Sequence, residues 1–316
     1  MAANLCILHA NVNGIRARKT ETEQYLTETK PHIVLFNETK LCGKPMPRFA
    51  GFKTAALRDR TNDKIRGGGV AILVSNIVAF SDISPDIDDI VAIEVSIGNS
   101  KYVIVSYYCP PDNRDLNSGL LEQFVLQYKR VIIAGDFNAK HQYYGSKCTD
   151  ARGDQLFDFV EKNGLIVAND PNQMTRHNVS SGQADLIDYV IVSKPVVARS
   201  VECYVGEDIG SDHLPLHFTL QLNCQIKTVP IKQVRNFAKC DWALFTETLT
   251  EESAQYSSVI LASKSSIDEK YNDICQSITN AVDIACPKKT VKDYAFHLKS
   301  ETVNLIRLKR KLRRKS

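Results

Sequence analysis

Short apolar runs recur along the first 222 residues, at 5–12, 33–36, 70–74, 91–97, 102–108, 131–134, 186–192, 201–205 and 214–222. Runs of this length, closed by turn-forming residues, predict strands buried on one or both faces. Helical patterns fall between some of them: 18–30 around Tyr25 and Leu26, 116–128, and 155–163, where Leu156, Phe159 and Val160 share a side and Gly164 follows the end. Many strands with few intervening helices do not suit a simple alternating parallel sheet. They suit two sheets packed face to face, so the expected fold is α/β, a four-layer sandwich of two mixed sheets flanked by helices, with a C-terminal helical extension.

The texture changes after Leu222. A linker-like segment, 223–239, holds Pro230, and then Ile267, Tyr271, Ile274, Ile278 and Val282 fall at spacings of three and four, the stripe of an amphipathic helix. Pro287 closes it, and a last helical stretch over 294–314 ends in a basic run from Arg307 to Lys315. The expected division is a sandwich domain over 1–222 and a basic, all-helical segment over 223–316.

Composition agrees with a globular chain: 316 residues, 43% hydrophobic and 24% charged. No apolar run reaches the length of about 18 residues needed to cross a bilayer, and the first residues read as strand, not as a signal peptide. The net charge of +4 conceals an asymmetry, because residues 1–224 carry 23 Lys+Arg against 26 Asp+Glu while the remainder carries 17 against 10. Positive charge is a property of the tail, where it suits a nucleic-acid contact, a nuclear import signal or a solvated helix. Nine cysteines without a C-x-x-C pair argue against a zinc site and a disulfide framework, and imply reduced packing residues in an intracellular, nuclear protein.

Polar residues gather at the ends of the predicted strands. The run Val131-Ile132-Ile133-Ala134-Gly135 leads into Asp136 and Asn138, which share a face if the strand continues. Asn11 and Asn13 end the first run, Glu38 follows the second, Tyr108 precedes Cys109-Pro110-Pro111, Asp188 opens 188–192, and Gly210-Ser211-Asp212-His213 precedes the last run. At one edge of a sandwich these would form a pocket of four carboxylates, two or three carboxamides and one imidazole. Crowded carboxylates repel unless a cation neutralises them, and an oxygen-rich, thiol-free set suits Mg²⁺ or Mn²⁺, which keep coordination positions for phosphate. The chemistry indicated is phosphate ester cleavage. Gly67-Gly68-Gly69 lacks the helix start and Lys of a phosphate-binding loop and predicts a tight strand entry. His9, His32, His141, His177, His217 and His297 share no spacing and read as structural or solvent-facing, as Asp185 does from turn chemistry and Trp242 from packing.

In their order, Asn11-Val12-Asn13-Gly14, Asn37-Glu38-Thr39-Lys40, Tyr108-Cys109-Pro110-Pro111, Gly135-Asp136-Phe137-Asn138, Ile187-Asp188-Tyr189-Val190 and Ser211-Asp212-His213 resemble the endonuclease/exonuclease/phosphatase superfamily. Gly67 to Val74 and Gly210 to Leu216 resemble, more narrowly, the endonuclease of LINE-type, non-LTR retrotransposons. The resemblance spans about residues 4–222, and the tail with Asp241-Trp242 is similar to the connector that leads to a reverse transcriptase in such elements. It implies a catalytic domain over 1–222 and a connector over 223–316. It also implies Glu38 as principal Mg²⁺ ligand assisted by Asn11, Asp136 as the group that orients or deprotonates water, and Asn138 as phosphate clamp. His213 is implied to pair with Asp188, Tyr108 to supply a donor, Asp212 to orient Asn11 or support the metal's waters, and Thr175 and Ser211 to contact substrate. The implied activity is nicking of one strand of double-stranded DNA to leave a 3′-hydroxyl for reverse transcription, with element RNA or a reverse transcriptase domain as further partners. An abasic-site nuclease, an RNA nuclease, a phosphatase or an inactive nucleic-acid-binding relic are the alternatives. Asn13 stands where abasic-site repair enzymes of the superfamily carry Asp, which disfavours a dedicated repair enzyme.

Overall fold

Inward and outward positions alternate along the strands, and the alternation builds three apolar layers in turn. The computed structural model describes residues 3–60, 67–112, 115–178, 182–222, 233–260, 267–290 and 296–313. In chain order the elements are β1 (Ala3–Asn11), α1 (Lys19–Thr29), β2 (Ile33–Asn37), β3 (Phe52–Arg58), β4 (Val70–Ser75), β5 (Phe80–Asp82), β6 (Ile90–Ile97), β7 (Ser100–Tyr108), α2 (Ser118–Gln127), β8 (Val131–Asp136), α3 (Ala151–Lys162) and β9 (Ile166–Val167). They continue with β10 (Arg176–Asn178), β11 (Gln183–Asp185), β12 (Asp188–Val192), α4 (Lys194–Val197), β13 (Ser200–Val205), β14 (Leu216–Leu222), β15 (Gln233–Arg235), α5 (Trp242–Ile260), α6 (Ile267–Ala285), β16 (Lys288–Thr290) and α7 (Ser300–Arg313).

Two six-stranded mixed sheets carry the fold, in the orders β13-β14-β1-β2-β4-β3 and β5-β6-β7-β8-β12-β9. β1 runs parallel to β2, and β7 to β8; the remaining pairs are antiparallel. Leu5 and Ile7 of β1, Ile33 and Leu35 of β2, Tyr102 and Ile104 of β7, Ile132 and Ala134 of β8 and Val190 of β12 meet in one cluster between the sheets. The alternate residues face out. Leu8 and Ala10 of β1 join Tyr25 and Leu26 of α1 beneath the first sheet, whereas Val131 and Ile133 of β8 join Leu121 and Phe124 of α2 and Leu156 and Phe159 of α3 beneath the second. This is the expected α/β sandwich with helices on its outer faces.

The chain divides into two compact units, Met1–Val229 with Tyr294–Ser316, and Pro230–Asp293. The division differs from a boundary at 222, because α7 packs on the sandwich: Ile306 and Arg310 are buried there, and Arg310 lies over the Tyr25 ring at 5.3 Å. In the second unit α5 and α6 lie together, and the antiparallel pair β15–β16, with Val234 opposite Lys289, corrects the all-helical expectation. Three-residue strands leave no apolar run to read. Cys240 and Cys286 form a disulfide there, correcting the expectation that all nine cysteines are reduced; 46 residues separate the pair, and only tertiary structure brings them together. Much of the linker expected over 223–239 lies outside the described residues, as do Arg314 and Lys315. β3 escaped the apolar pattern because it is an edge strand with a single fully buried residue, Ala56. α3 starts four residues earlier than its stripe, where Asp150 caps it by accepting a hydrogen bond from the Gly153 amide at 2.7 Å.

His217 on β14 shows how the outer layer handles a polar group. Burial pulls its pKa down to about 4, and the same burial raises that of Tyr25, so the Tyr25 hydroxyl keeps its proton and donates to the neutral ring at 2.5 Å. The ring also stacks on Tyr204 with centroids 4.7 Å apart. A histidine whose folded pKa is depressed stabilises fully above its unfolded value and loses that stabilisation as pH falls toward the folded value. The unfolded chain takes a proton that the folded one refuses, worth up to about 3 kcal/mol over a shift from about 6.5 to 4. Thermal melts between pH 7 and 4.5 are expected to fall more steeply for the parent than for His217→Gln, and parallel curves would refute a neutral, buried imidazole.

Candidate active site

The inward parity that builds the inter-sheet cluster does not stop where the apolar residues do. One step further along the same faces stand Asn11 on β1, Asn37 on β2, Ser106 and Tyr108 on β7, Asp136 at the end of β8 and Asp188 at the start of β12. All are buried, with Asn37, Ser106, Asp136 and Asp188 at 0% exposure, so each polar group must find a partner across the gap. Asn37 donates to Ser106 Oγ at 3.1 Å and accepts from the Asp136 amide at 2.8 Å, stitching the sheets together. Within the second sheet, Gly135 lets β8 pair closely with β7 beside Asp136: a Cβ there would sit 1.7 Å from the Tyr107 carbonyl oxygen.

Asn11 joins a carboxylate near the surface, Glu38, to a sealed one, Asp136. Its Nδ2 donates to Asp136 Oδ2 at 2.8 Å and to Glu38 Oε1 at 3.0 Å, and the Tyr108 hydroxyl donates to the same Glu38 oxygen at 3.1 Å. The other Glu38 oxygen lies 2.7 Å from Lys40 Nζ. Burial alone would raise the Glu38 pKa, but Lys40, Asn11 and Tyr108 outweigh it and hold the carboxyl below its usual range. Glu38 (φ +50°) and Lys40 (φ +49°) are left-handed, a strained arrangement that costs about 1–3 kcal/mol per residue and turns both side chains into the site. The strain is held by the Gly67–Gly69 entry to β4, whose Gly69 and Gly68 carbonyls accept from the Thr39 and Lys40 amides at 3.1 and 3.0 Å.

Deeper in, Asp136 and Asp188 face each other across the β8–β12 ladder. His213, from the loop before β14, stands between them, with Nδ1 2.8 Å from Asp188 Oδ2 and Nε2 3.8 Å from Asp136 Oδ2. Burial would lower the His213 pKa, but Asp188 and Asp136 overcome it and push it up to about 9, so the ring is an imidazolium at neutral pH. Asp188 is held well below the carboxylate range against its own burial by His213 and His9, whereas burial drives Asp136 upward. These three residues bring ligand atoms within 4.8 Å of one another, a cluster that fits a divalent metal site.

The remaining expected residues are placed unequally. Asp212 contacts Asn13, whose Nδ2 donates to it at 2.9 Å, so of its two expected roles the bond to Asn11 is not made; against burial, the Asn13 carboxamide, the His213 charge and Arg176, 3.6 Å away, hold Asp212 below its usual pKa. Asn13 also accepts from Lys40 at 2.5 Å. Asn138, left-handed at φ +45°, donates from Nδ2 to the Cys109 carbonyl at 2.9 Å and from its amide to Asp136 Oδ1 at 3.0 Å. Ser211 is buried, its hydroxyl donating to the Asn11 carbonyl at 2.8 Å. Thr175 does not line the pocket: it is 0% exposed, and its hydroxyl accepts from the Ile187 and Asp188 amides at 3.2 and 3.1 Å, behind the strand that carries Asp188. His9 corrects the expectation of a bystander, since its Nε2 lies 2.9 Å from Asp188 Oδ1. Its place on the inward face of β1, two residues before Asn11, was the available signal. Asp185 pairs with Lys140 at 2.9 Å outside the cluster, in keeping with a turn role.

Asp188→Asn removes the charge that overcomes burial of the imidazole. The His213 pKa, followed by NMR of the ring, is expected to fall from about 9 by roughly one to two units, and an unchanged titration would refute the pairing. Because the folded value lies above the unfolded one, the stabilisation from this pair is complete below about pH 6.5 and is lost as pH rises through about 9.

Comparison with known proteins places this geometry in context. Residues 102–217 match a family described as endonuclease-reverse transcriptase. The chain is 28% identical over 225 residues to the probable RNA-directed DNA polymerase from transposon X-element of Drosophila melanogaster, covering 68% of this chain and 24% of that one. It is 21% identical over 312 residues to the RNA-directed DNA polymerase from mobile element jockey of the same organism, covering 96% and 33%. The chain thus spans about a quarter to a third of the length of these relatives. Among solved structures it is similar to the endonuclease domain of TRAS1, a telomere-specific non-LTR retrotransposon, with a TM-score of 0.59, 25% identity and coverage of 70% of this chain and 99% of that one. It shares its fold with an AP endonuclease from Archaeoglobus fulgidus at a TM-score of 0.51 and 20% identity, over 68% of this chain and 99% of that one. Among the described residues, no helix is long and apolar enough to cross a membrane.

Proposed function

We propose that this chain, a retrotransposon-type endonuclease of the endonuclease/exonuclease/phosphatase superfamily, nicks one strand of double-stranded DNA in a Mg²⁺-dependent reaction and leaves a 3′-hydroxyl from which a reverse transcriptase domain can extend. The observation that carries the reading is the Asp136–His213–Asp188 arrangement with Glu38 tied to it through Asn11. It supplies a basic and an acidic group side by side, as hydrolysis of a phosphodiester requires. Asp136, raised by burial, is the group to take a proton from water. His213, held cationic, offers its Nε2–H to a phosphoryl oxygen, and Tyr108, kept protonated by burial, would offer a second donor on turning its single O–H from Glu38.

A divalent ion fits the ligand chemistry, because Glu38 and Asp212 supply carboxylate oxygens and the Asn11 carboxamide would supply its Oδ1 on turning from the Asn13 amide. In this reading Glu38, assisted by Asn11, would hold it, since an imidazolium has no lone pair to give and His213 is better kept as a donor. When bound, the ion would screen charge building on the phosphate and the leaving oxygen. Arg176, at the rim beside Asp212, is suited to a neighbouring backbone phosphate. A nuclear location belongs to the same proposal through its DNA target and draws no support from the cysteines.

The test is supercoiled plasmid with Mg²⁺, read for open circle, followed by extension of the nick with a polymerase. Glu38→Ala and Asp136→Ala are each expected to lose roughly a hundredfold or more in nicking rate while keeping the fold, as judged by circular dichroism. Either variant nicking near the parental rate would remove its assignment. Cleavage confined to abasic-site DNA or to RNA, or phosphate release from 3′-phosphorylated ends, would select another chemistry of the superfamily, and an inert parent would leave a nucleic-acid-binding relic.

A further inference from the structure

The basic helix α7 lies against the support of the catalytic loop. Arg307 and Arg310 pair with Glu28 of α1 at 3.1 and 2.7 Å, Lys309 pairs with Glu21, and Arg313 donates to Asp208 Oδ2 at 2.9 Å. Four of the charges that look free for nucleic acid in the sequence, Arg307, Lys309, Arg310 and Arg313, are engaged with an acidic face of the sandwich. That face includes the loop 207–213, from which Ser211, Asp212 and His213 enter the site.

Asp208 links the two. Its Oδ1 accepts from the Gly210 amide at 2.5 Å while its Oδ2 takes Arg313, so one buried carboxylate ties the end of α7 to the turn immediately before Ser211. Gly210 is left-handed at φ +90°, its carbonyl accepts from Arg18 Nε at 2.7 Å, and a Cβ on it would lie 2.7 Å from the Glu21 carboxylate. The turn is therefore wedged between α1 and α7. Arg310, only 3% exposed, closes the other side: it donates to the Glu21 carbonyl at 3.3 Å, lies 3.8 Å from Glu207 and covers the Tyr25 ring. From Asp208 the chain runs directly to the Ser211 hydroxyl on the Asn11 carbonyl and to His213 on Asp188.

We infer that α7 is a brace for this loop, with Arg313 a positioning residue that acts through Asp208 on the placement of His213, so that the working catalytic unit includes 300–313. The kinetic half of the inference rests on the nicking activity proposed above; the structural half does not. The Arg313 end of the pair is exposed and screened by solvent, so its loss loosens the loop without unfolding the sandwich.

The experiment uses the full chain as parent, Arg313→Ala and Arg313→Lys. Amide hydrogen exchange is measured over 207–213 and over β7 as a remote reference, with nicking kinetics alongside. In Arg313→Ala, exchange over 207–213 is expected to rise about fivefold with β7 unchanged, and kcat to fall about tenfold with KM within about twofold. Arg313→Lys, which keeps a cation within reach of Asp208, restores most of both. Exchange over 207–213 equal to that of the parent in Arg313→Ala overturns the brace. Should the parent cleave no nucleic acid, the functional reading falls while the exchange comparison still decides the brace.

Discussion

Two carboxylates sealed from water and set opposite each other on neighbouring strands cannot both stay charged unaided. Asp136 and Asp188 occupy that position at 0% exposure, and the imidazolium of His213 between them is what the rest of the site is built to keep in place. Like charges opposed on a ladder repel, and burial amplifies the repulsion by removing the solvent that would screen it. The fold answers by making the pair unequal. Asp188 is given two imidazoles, His213 on one oxygen and His9 on the other, and is driven far toward the ionised form. Asp136 is left with the neutral Asn11 amide, its neighbouring backbone N–H and the shared charge of His213, and burial carries its pKa up. Pairs of groups whose environments drive their pKa values apart divide into an acid holder and a base.

That inequality depends on the sandwich in a definite way. Inward faces of strands bury apolar residues where the sheets lie closest together, and the same faces become polar at one end, where β1, β2, β7, β8 and β12 all terminate or begin. Each polar residue there is held by cross-sheet bonds such as Asn37 to Ser106 and Asn11 to Asp136. The site is therefore preorganised by the same packing that stabilises the fold, and its charge pattern costs no separate scaffold. His213 is the exception. It arrives on a loop before β14 and owes its position to a turn that α1 and α7 hold from outside the core.

The sequence shows the parity more readily than the partnerships. Asp136, Asp188, Glu38 and Asn11 are legible because apolar runs end in polar residues at positions of fixed spacing, and the ordered motifs strengthen the reading. His9 is hidden, since an inward histidine within an apolar strand reads as core until its distance to Asp188 is known. Lys40 and the partners of Asn13 are hidden for another reason: they follow from left-handed backbone and from the glycine run lying against residues 39 and 40, neither of which leaves a periodic mark. Thr175, expected to contact substrate, has its hydroxyl taken by the Ile187 and Asp188 amides instead, a fact of tertiary contact. The charge of α7 is visible at once, but its partners lie about 280 residues earlier in the chain, on α1, or 105 residues earlier, at Asp208, and no local pattern reports them.

The balance of charge adds a last constraint on what can enter. Four carboxylates line the site, and among the described residues the cations that touch them are His213, Lys40 and Arg176, with His9 and Asn11 as further hydrogen-bond partners. In the proposed reaction an anionic phosphodiester would meet a pocket with more carboxylates than cations, so binding of phosphate alone is opposed by the groups that would process it. A cation accepted by Glu38 reverses that local sign and turns repulsion into attraction. Substrate and cation binding at this site are therefore expected to reinforce each other. The reinforcement arises from Glu38 being held ionised by Lys40, Asn11 and Tyr108 in spite of its burial.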